Sequence, residues 1–242
     1  MFFNRVKGKI IPKRDKYVAE TKFWESTLVQ YIAWYQGKIK VLYGEKSPTK
    51  KSKIIAPTEK DSAILTWEKA HQQPKYLQDL KLKSSVFKGL KLVDIGSGPH
   101  PSARAFHAKE IYCLDPLLAE YIRVGFPVHY YDNVKFVSAK AESMPFADHT
   151  IDAVISVNAL DHVDSFEDTA MEIKRILKRN GKIRFHLHYH TATTEEPIEL
   201  NDERVLHAYS WAKNMHKVSE SKSKRGTKLQ VAGEKYVLWS NF

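Results

Sequence analysis

LKLVDIGSGPHPSARAFHA, residues 90–108, is the stretch on which the reading turns. An apolar run rises to Asp94, Gly96 and Gly98 stand one residue apart, and a segment fit to resume as a helix follows Pro101. Glycine carries no Cβ, so such a turn lets backbone N–H groups approach a ligand closely, or simply turns a strand sharply into a helix. The Gly-x-Gly pair does not by itself choose between these two uses. Its surroundings do.

Downstream the pattern alternates. KLVDI, EIYCLD (110–115), NVKFVSA (133–139), TIDAVISV (150–157) and KIRFHLHYH (182–190) read as five strands. SARAFHA, PLLAEYIRVG and SFEDTAMEIKRILKRNG (165–181) read as the helices between them. The last is expected to close at Gly181, with Lys178 and Arg179 in its final turn, where the dipole favours cations. Strands alternating with helices imply an α/β protein with a parallel sheet covered on both faces. ELNDERVLHAYSWAK (199–213) is a further helix candidate. KYVLWSNF (235–242) is expected to be a final strand, paired with one near MHKVSES (215–221) across the turn SKSKRGTK.

Upstream, residues 1–89 read as mainly helical. ETKFWESTLVQYIAWYQGKIKVLYG (20–44) begins as an aromatic-rich helix and breaks at Gly37, and KSPTKKSKIIAPTEK (46–60) is a basic loop. Asp61 and Ser62 can cap a helix over AILTWEKAHQ, and Pro74 can open another over PKYLQDLKL. Phe23, Trp24, Tyr31, Trp34 and Tyr35 are then either the core face of helices packed on the sheet or a lid over a substrate.

The second strand ends at Asp115, 21 residues after Asp94. A carboxylate there can accept from both hydroxyls of a ribose, which favours a nucleoside cofactor over a plain turn. The third glycine of the dinucleotide fingerprint is replaced by Pro101, which disfavours a pyrophosphate. VDIGSGPHP (93–101), YCLDPL (112–117), AESMPFADHTIDAVISVNALDHVDS (141–165) and EIKRILKRNGKIRF (172–185) together resemble the class I S-adenosylmethionine-dependent methyltransferases, closest to the ubiquinone/menaquinone-biosynthesis-like subgroup. The resemblance covers about residues 90–190. It implies a Rossmann-like seven-stranded sheet, mostly parallel with an antiparallel last strand, over 90–242, behind a helical, basic extension over 1–89.

The resemblance also implies the site. Gly96, Ser97 and Gly98 would pass the methionine part of S-adenosylmethionine, Asp94 would sit near its ammonium, and Asp115 and Pro116 would hold the ribose end. Ala141 and Glu142 would edge the adenine, and Asn158 would lie below the sulfonium. Where the subgroup carries an adenine-binding Asp, this chain has Lys140, so adenine must be read by backbone, by Glu142, or by Ser138 or Ser143. Gln72, Gln73 and Tyr76 are candidates for the methionine end.

Two clusters fall where open α/β sheets place their chemistry, at the carboxyl ends of the fourth and fifth strands. In NALDHVD (158–164), His162 beside Asp161 and Asp164 has the composition of a general base with an orienting acid, or of a helix cap. Period-two alternation puts His186, His188 and His190 on one face of the fifth strand, as substrate contacts or a base. A divalent metal held there is the least favoured reading, and the sequence assigns no metal ligands.

Composition bounds the rest. Hydrophobic content of 43% and charged content of 28% fit a globular protein. No apolar run approaches a membrane span, the opening residues lack a secretory apolar core, and a lone cysteine, Cys113, excludes an intrachain disulfide. A cytoplasmic protein is expected, its oligomeric state unassigned. The net charge of +11 is uneven: residues 1–60 carry 14 Lys/Arg against 5 Asp/Glu, and residues 211–242 carry 7 against 2. Basic ends suit an anionic partner. The leading expectation is O-methylation of a sugar, glycan or small hydroxylated substrate, with an anionic acceptor compatible with the basic ends. Three alternatives stand beside it: a nucleic-acid methyltransferase using the basic amino-terminal segment, a carbon methyltransferase on a quinone-like ring, and a non-catalytic binding module of the same fold. The NALD segment, in place of an Asn/Asp-Pro-Pro-aromatic motif, counts against base methylation.

Overall fold

The computed structural model describes residues 13–193, 196–222 and 234–242. In chain order these form α1 (Lys13–Tyr35), a short hairpin of β1 (Val41–Leu42) and β2 (Glu45–Lys46), α2 (Glu59–Trp67), a π-helical turn (Glu68–Gln72) and α3 (Gln73–Leu80). There follow β3 (Lys91–Ile95), a 3-10 turn (Ser102–Phe106), β4 (Glu110–Leu114), α4 (Leu118–Val124), β5 (Val134–Val137) and β6 (Ile151–Val157). The chain closes with α5 (Phe166–Ile176), β7 (Leu177–Tyr189), α6 (Asp202–Ala208), β8 (His216–Lys222) and β9 (Lys235–Ser240).

Seven strands make one sheet in the order β5-β4-β3-β6-β7-β9-β8. Pairing is parallel from β5 through β7, and β9 runs antiparallel between β7 and β8. The expected Rossmann-like sheet with an antiparallel last strand is therefore present, and the paired strands near MHKVSES and KYVLWSNF are β8 and β9. The strand order reverses between β3 and β6, so a crevice opens at their carboxyl ends.

Alternation along the strands sends residues to two cores. Val93, Ile95, Val154 and Phe185 pack under α5 and α6 with Phe166, Ile173 and Val205. Leu92, Ile111, Ala153 and Ile155 face Tyr76 and Leu80 of α3, Phe87 and Phe106. A third cluster joins Leu28, Tyr31 and Trp34 of α1 to Ile64 and Trp67 of α2, to Tyr121 of α4 and to Phe126 just beyond it. It fastens α1 across the carboxyl edge of the sheet. Most of the aromatic amino-terminal stretch is thus core, though Phe23 is half exposed.

Three local expectations need correction. The helix expected to end at Gly181 ends at Ile176: Leu177 takes an extended backbone, is buried, and pairs with Ile151. Gly181 instead lies within β7, where a Cβ would stand 2.3 Å from Leu177 Cγ, so its bareness lets the strand cross that side chain. Lys178 has left the helix and pairs with Asp152 at 2.6 Å. Thr58, not Asp61 or Ser62, caps α2 by accepting the Asp61 N–H at 3.1 Å. Pro74 does not start a separate helix, because α2, the π turn and α3 are continuous and the Gln73 N–H reaches back to the Glu68 carbonyl. Pro74, which has no amide to donate, follows directly on the π turn in the first turn of α3. Among the described residues no helix is long and apolar enough to cross a membrane.

Candidate active site

A cavity of about 270 Å3 opens at the carboxyl ends of β3, β4 and β6, near the lower limit for small-molecule sites. Its floor is the glycine turn. Gly96 has φ +68° and Gly98 φ +61°, the left-handed region that side chains resist. A Cβ on Gly96 would fall 2.2 Å from Ala159 Cβ, and one on Gly98 would press the Trp24 ring at 3.2 Å. The backbone here therefore passes closely under two neighbours, and only glycine fits beside Ala159.

The acids flank this turn. Asp94 is fully buried, and one carboxylate oxygen accepts from the Tyr76 hydroxyl at 3.4 Å. Its other oxygen, Oδ2, has no hydrogen-bond partner. Burial holds its carboxyl well above the usual range, opposed by the Tyr76 hydroxyl and reinforced by the charge of Asp115. Asp115 Oδ2 accepts the Gly98 N–H at 3.0 Å and Oδ1 accepts the Leu117 N–H at 2.9 Å. Two backbone amides thus fix the plane of this carboxylate against the turn. Burial pushes it up to about 6, against those two amide bonds.

The opposite wall carries Ala141, Glu142, Val163 and Asp164. Glu142 Oε1 accepts the N–H of Asp164 at 2.6 Å and of Ser165 at 3.0 Å, so it is engaged at the start of α5. Lys140 pairs with Asp164 at 2.8 Å. Lys16 of α1 reaches the same carboxylate at 3.7 Å and donates to the His162 carbonyl. Burial lowers the Lys16 ammonium, with Asp164 opposing. Neither Ser138 nor Ser143 lines the cavity. Asn158 closes the end of β6 with φ +50°, a conformation that asparagine tolerates. Its N–H donates to the His186 carbonyl at 2.8 Å, and its Oδ1 lies 2.9 Å from His186 Nδ1.

Gly96, Ser97, Gly98, Asp115, Pro116, Ala141, Glu142, Asn158 and His162 all line this one cavity, and Asp94 lies directly beneath it. Gln72 and Tyr76 line it as well, whereas Gln73 turns away to Glu68. His162 places Nε2 3.7 Å from Glu196 Oε1. Asp161, His188 and His190 are elsewhere. The three alternate histidines do share a face of β7, but antiparallel β9 lays Tyr236 over it, with ring centroids 5.1 Å from His186 and 4.8 Å from His188. His190 Nε2 faces Asp161 Oδ2 at 3.1 Å, and both side chains are buried behind the cavity wall. Asp161, His188 and His190 do not line the cavity, so the structure does not bring these candidate catalytic groups to the glycine turn as the sequence suggested.

Of the aromatic residues offered as a lid, Trp24 lines the cavity, but several other lining residues escaped the sequence. Lys16 and Glu20 stand at four-residue steps before Trp24 and share its face of α1. That spacing is visible in the chain, but two charges and a tryptophan read equally as a solvated face. His100 is buried in the wall, pushed down to about 3 by burial, with Nε2 3.3 Å from the Tyr31 hydroxyl. Nothing local in GPHP marks it.

Residues 93–185 match a family model described as a methyltransferase domain. Sterol 24-C-methyltransferase of Gibberella zeae is 32% identical over 99 residues, covering 38% of this chain and 26% of that protein. The ubiquinone/menaquinone biosynthesis C-methyltransferase of Hahella chejuensis is 28% identical over 110 residues, covering 42% of this chain and 44% of that one. The chain thus spans less than half the length of these curated relatives. Among solved structures, phosphoethanolamine N-methyltransferase 2 of Haemonchus contortus aligns with a TM-score of 0.55 at 14% identity, over 81% of this chain and 61% of that one. The YcgJ protein of Bacillus subtilis aligns at 0.50 with 18% identity, over 63% and 72%. At these identities the structural likeness speaks for the fold. The matched domain and the sheet order agree in giving residues 93–185 the fold of a class I methyltransferase domain, a class whose cofactor is S-adenosylmethionine. The residues fit that group: an unpartnered carboxylate oxygen on buried Asp94, a turn that no Cβ can fill, and an oriented carboxylate at Asp115.

Proposed function

We propose that this chain transfers a methyl group from S-adenosylmethionine to a hydroxyl of a sugar or other small hydroxylated substrate. When bound, the cofactor supplies a methyl carbon activated by its sulfonium. Asp115 would accept from the ribose hydroxyls, the Gly96–Gly98 backbone would pass the methionine portion, and Asp94 would face its ammonium. The remaining task of the protein is to align the acceptor and to remove its proton.

The observation that carries this reading is His162. Among the described residues, two histidines line the cavity, and His100 is held neutral, buried against Tyr31. His162 is the imidazole left to accept a proton. Its Nε2 stands 3.7 Å from the Glu196 carboxylate, the acid placed to orient it. The Trp24 ring, Gln72 and the Lys75–Asp79 pair at the cavity edge suit a polyhydroxylated acceptor better than an apolar one.

A carbon acceptor is the second reading, favoured by the names of the sterol and quinone relatives. Labelled S-adenosylmethionine offered with panels of nucleotide sugars, glycans and quinones separates the two. Methylation of a hydroxyl, abolished in His162→Gln, supports the first, and a ring-carbon product overturns it.

A further inference from the structure

Behind the wall that carries His162, four side chains converge that the cavity does not use. Asp161 comes from the loop after β6, His188 and His190 from the end of β7, and Glu196 from the segment that folds back beyond it. One donor atom from each lies within 4.8 Å of all the others. His190 Nε2 is 3.1 Å from Asp161 Oδ2 and 3.7 Å from Glu196 Oε2, and the His188 and His190 rings are 4.7 Å apart. All four residues are buried. Backbone bonds hold the arrangement: the Ile198 N–H donates to the Asp161 carbonyl at 3.1 Å, joining the two segments, and the Thr193 N–H donates to the Glu196 carbonyl at 2.9 Å, closing a local turn.

The hydrogen bonds of His190 sharpen the question. Its Nδ1 stands 2.8 Å from the Thr191 carbonyl, which can only accept, so Nδ1 carries the proton. In the neutral ring, Nε2 is then a lone pair, aimed at a carboxylate oxygen 3.1 Å away and near a second one. Two lone pairs do not face each other in a buried site without a cation between them. Asp161 Oδ1 is also buried with no hydrogen-bond partner. Either a second proton makes the ring an imidazolium, or a metal ion occupies the centre.

We propose that Asp161, His188, His190 and Glu196 form a structural site for a divalent transition metal, zinc foremost. Two imidazoles and two carboxylates are a zinc-type donor set, and they disfavour magnesium or calcium, which take oxygen alone. Donors of a tetrahedral zinc shell with bonds of about 2.0–2.1 Å stand roughly 3.3 Å apart, so the observed set closes onto an ion with sub-ångström to ångström shifts. The Thr191 carbonyl on His190 Nδ1 is the outer contact that such a ligand ordinarily has. Four protein ligands leave no open position, and none of them lines the cavity, so the ion braces and does not react. It joins the loop after β6, at Asp161 one residue before His162, to the end of β7. Glu196 turns Oε2 to the cluster and Oε1 to His162, which ties the brace to the imidazole in the cavity.

The test uses the full chain without a histidine tag, stripped with chelator, dialysed, and titrated with Zn2+ against a chromophoric competitor. The wild type is expected to bind about one equivalent, and Glu196→Gln to bind about tenfold to hundredfold more weakly or worse. Asp115→Asn, in the cofactor cavity, should bind Zn2+ like the wild type. Should Glu196→Gln fail to fold, the Co2+-loaded wild type decides, by the intense visible bands of a tetrahedral N/O site. Absence of saturable Zn2+ binding, with both ring nitrogens of His190 protonated in 15N-resolved spectra, would establish the imidazolium pair and overturn the proposal.

Discussion

Asp115 joins the cofactor turn to the cavity through single atoms, and its protonation has a readable sign. In the free protein its carboxyl is pushed up to about 6 by burial. Ribose hydroxyls donate to the ionised form, so binding favours deprotonation. Affinity for S-adenosylhomocysteine should therefore be level above pH 7 and fall as pH drops below 6, by up to tenfold per unit. Binding at pH 5 should release a proton, visible as a buffer-dependent heat. Asp115→Asn should remove this pH dependence and weaken binding by roughly 1.5–3 kcal/mol, the usual worth of hydrogen bonds to a charged group. Gly96→Ala meets Ala159 Cβ head-on at a positive φ, and should lose about 2 kcal/mol or more of stability in denaturant titrations. His162→Gln should leave cofactor affinity unchanged and lower turnover by about a hundredfold or more.

At the scale of elements, α1 is the part that most changes the site. It contributes Lys16, Glu20 and Trp24 to the cavity while its buried face, Leu28, Tyr31 and Trp34, locks onto α2. Its amino-terminal half is held by Lys16, through Asp164 and the His162 carbonyl, and by the Trp24 ring, which packs on His100, Tyr121 and Phe126. Amide exchange over residues 13–24 should slow when S-adenosylhomocysteine binds, and Lys16→Met should abolish that protection while leaving residues 28–35 slow. No change on binding would detach α1 from the site. Strands and most helices could be read from alternation, because period two and period 3.6 are local properties. The end of α5 could not, because Leu177 is claimed by β6 across the sheet, and a tertiary pairing overrides a helix-ending pattern of Lys178, Arg179 and Gly181. That the glycine turn and Asp115 meet at one cavity was legible for the same local reason, the glycines and acids lying at successive strand ends. The fate of His188 and His190 was not: their shared face follows from the pleat, but what covers it depends on β9 and on Glu196.

Across the whole molecule, the charge pattern and the site point in different directions. The net charge of +11 lies mostly at the chain ends, whereas the cavity lining carries more carboxylates than lysines. A small hydroxylated acceptor predicts turnover that varies little between 50 and 200 mM salt. A nucleic-acid acceptor contacting several basic residues predicts a loss of several hundredfold or more over that range. Calorimetric titration of the chain with S-adenosylhomocysteine, at pH 7.5 and at pH 5, tests the cofactor cavity most directly. One-to-one binding of about micromolar strength, weaker at pH 5 in the wild type and insensitive to pH in Asp115→Asn, is the predicted result. No binding at either pH, or identical binding by wild type and Asp115→Asn, would contradict it.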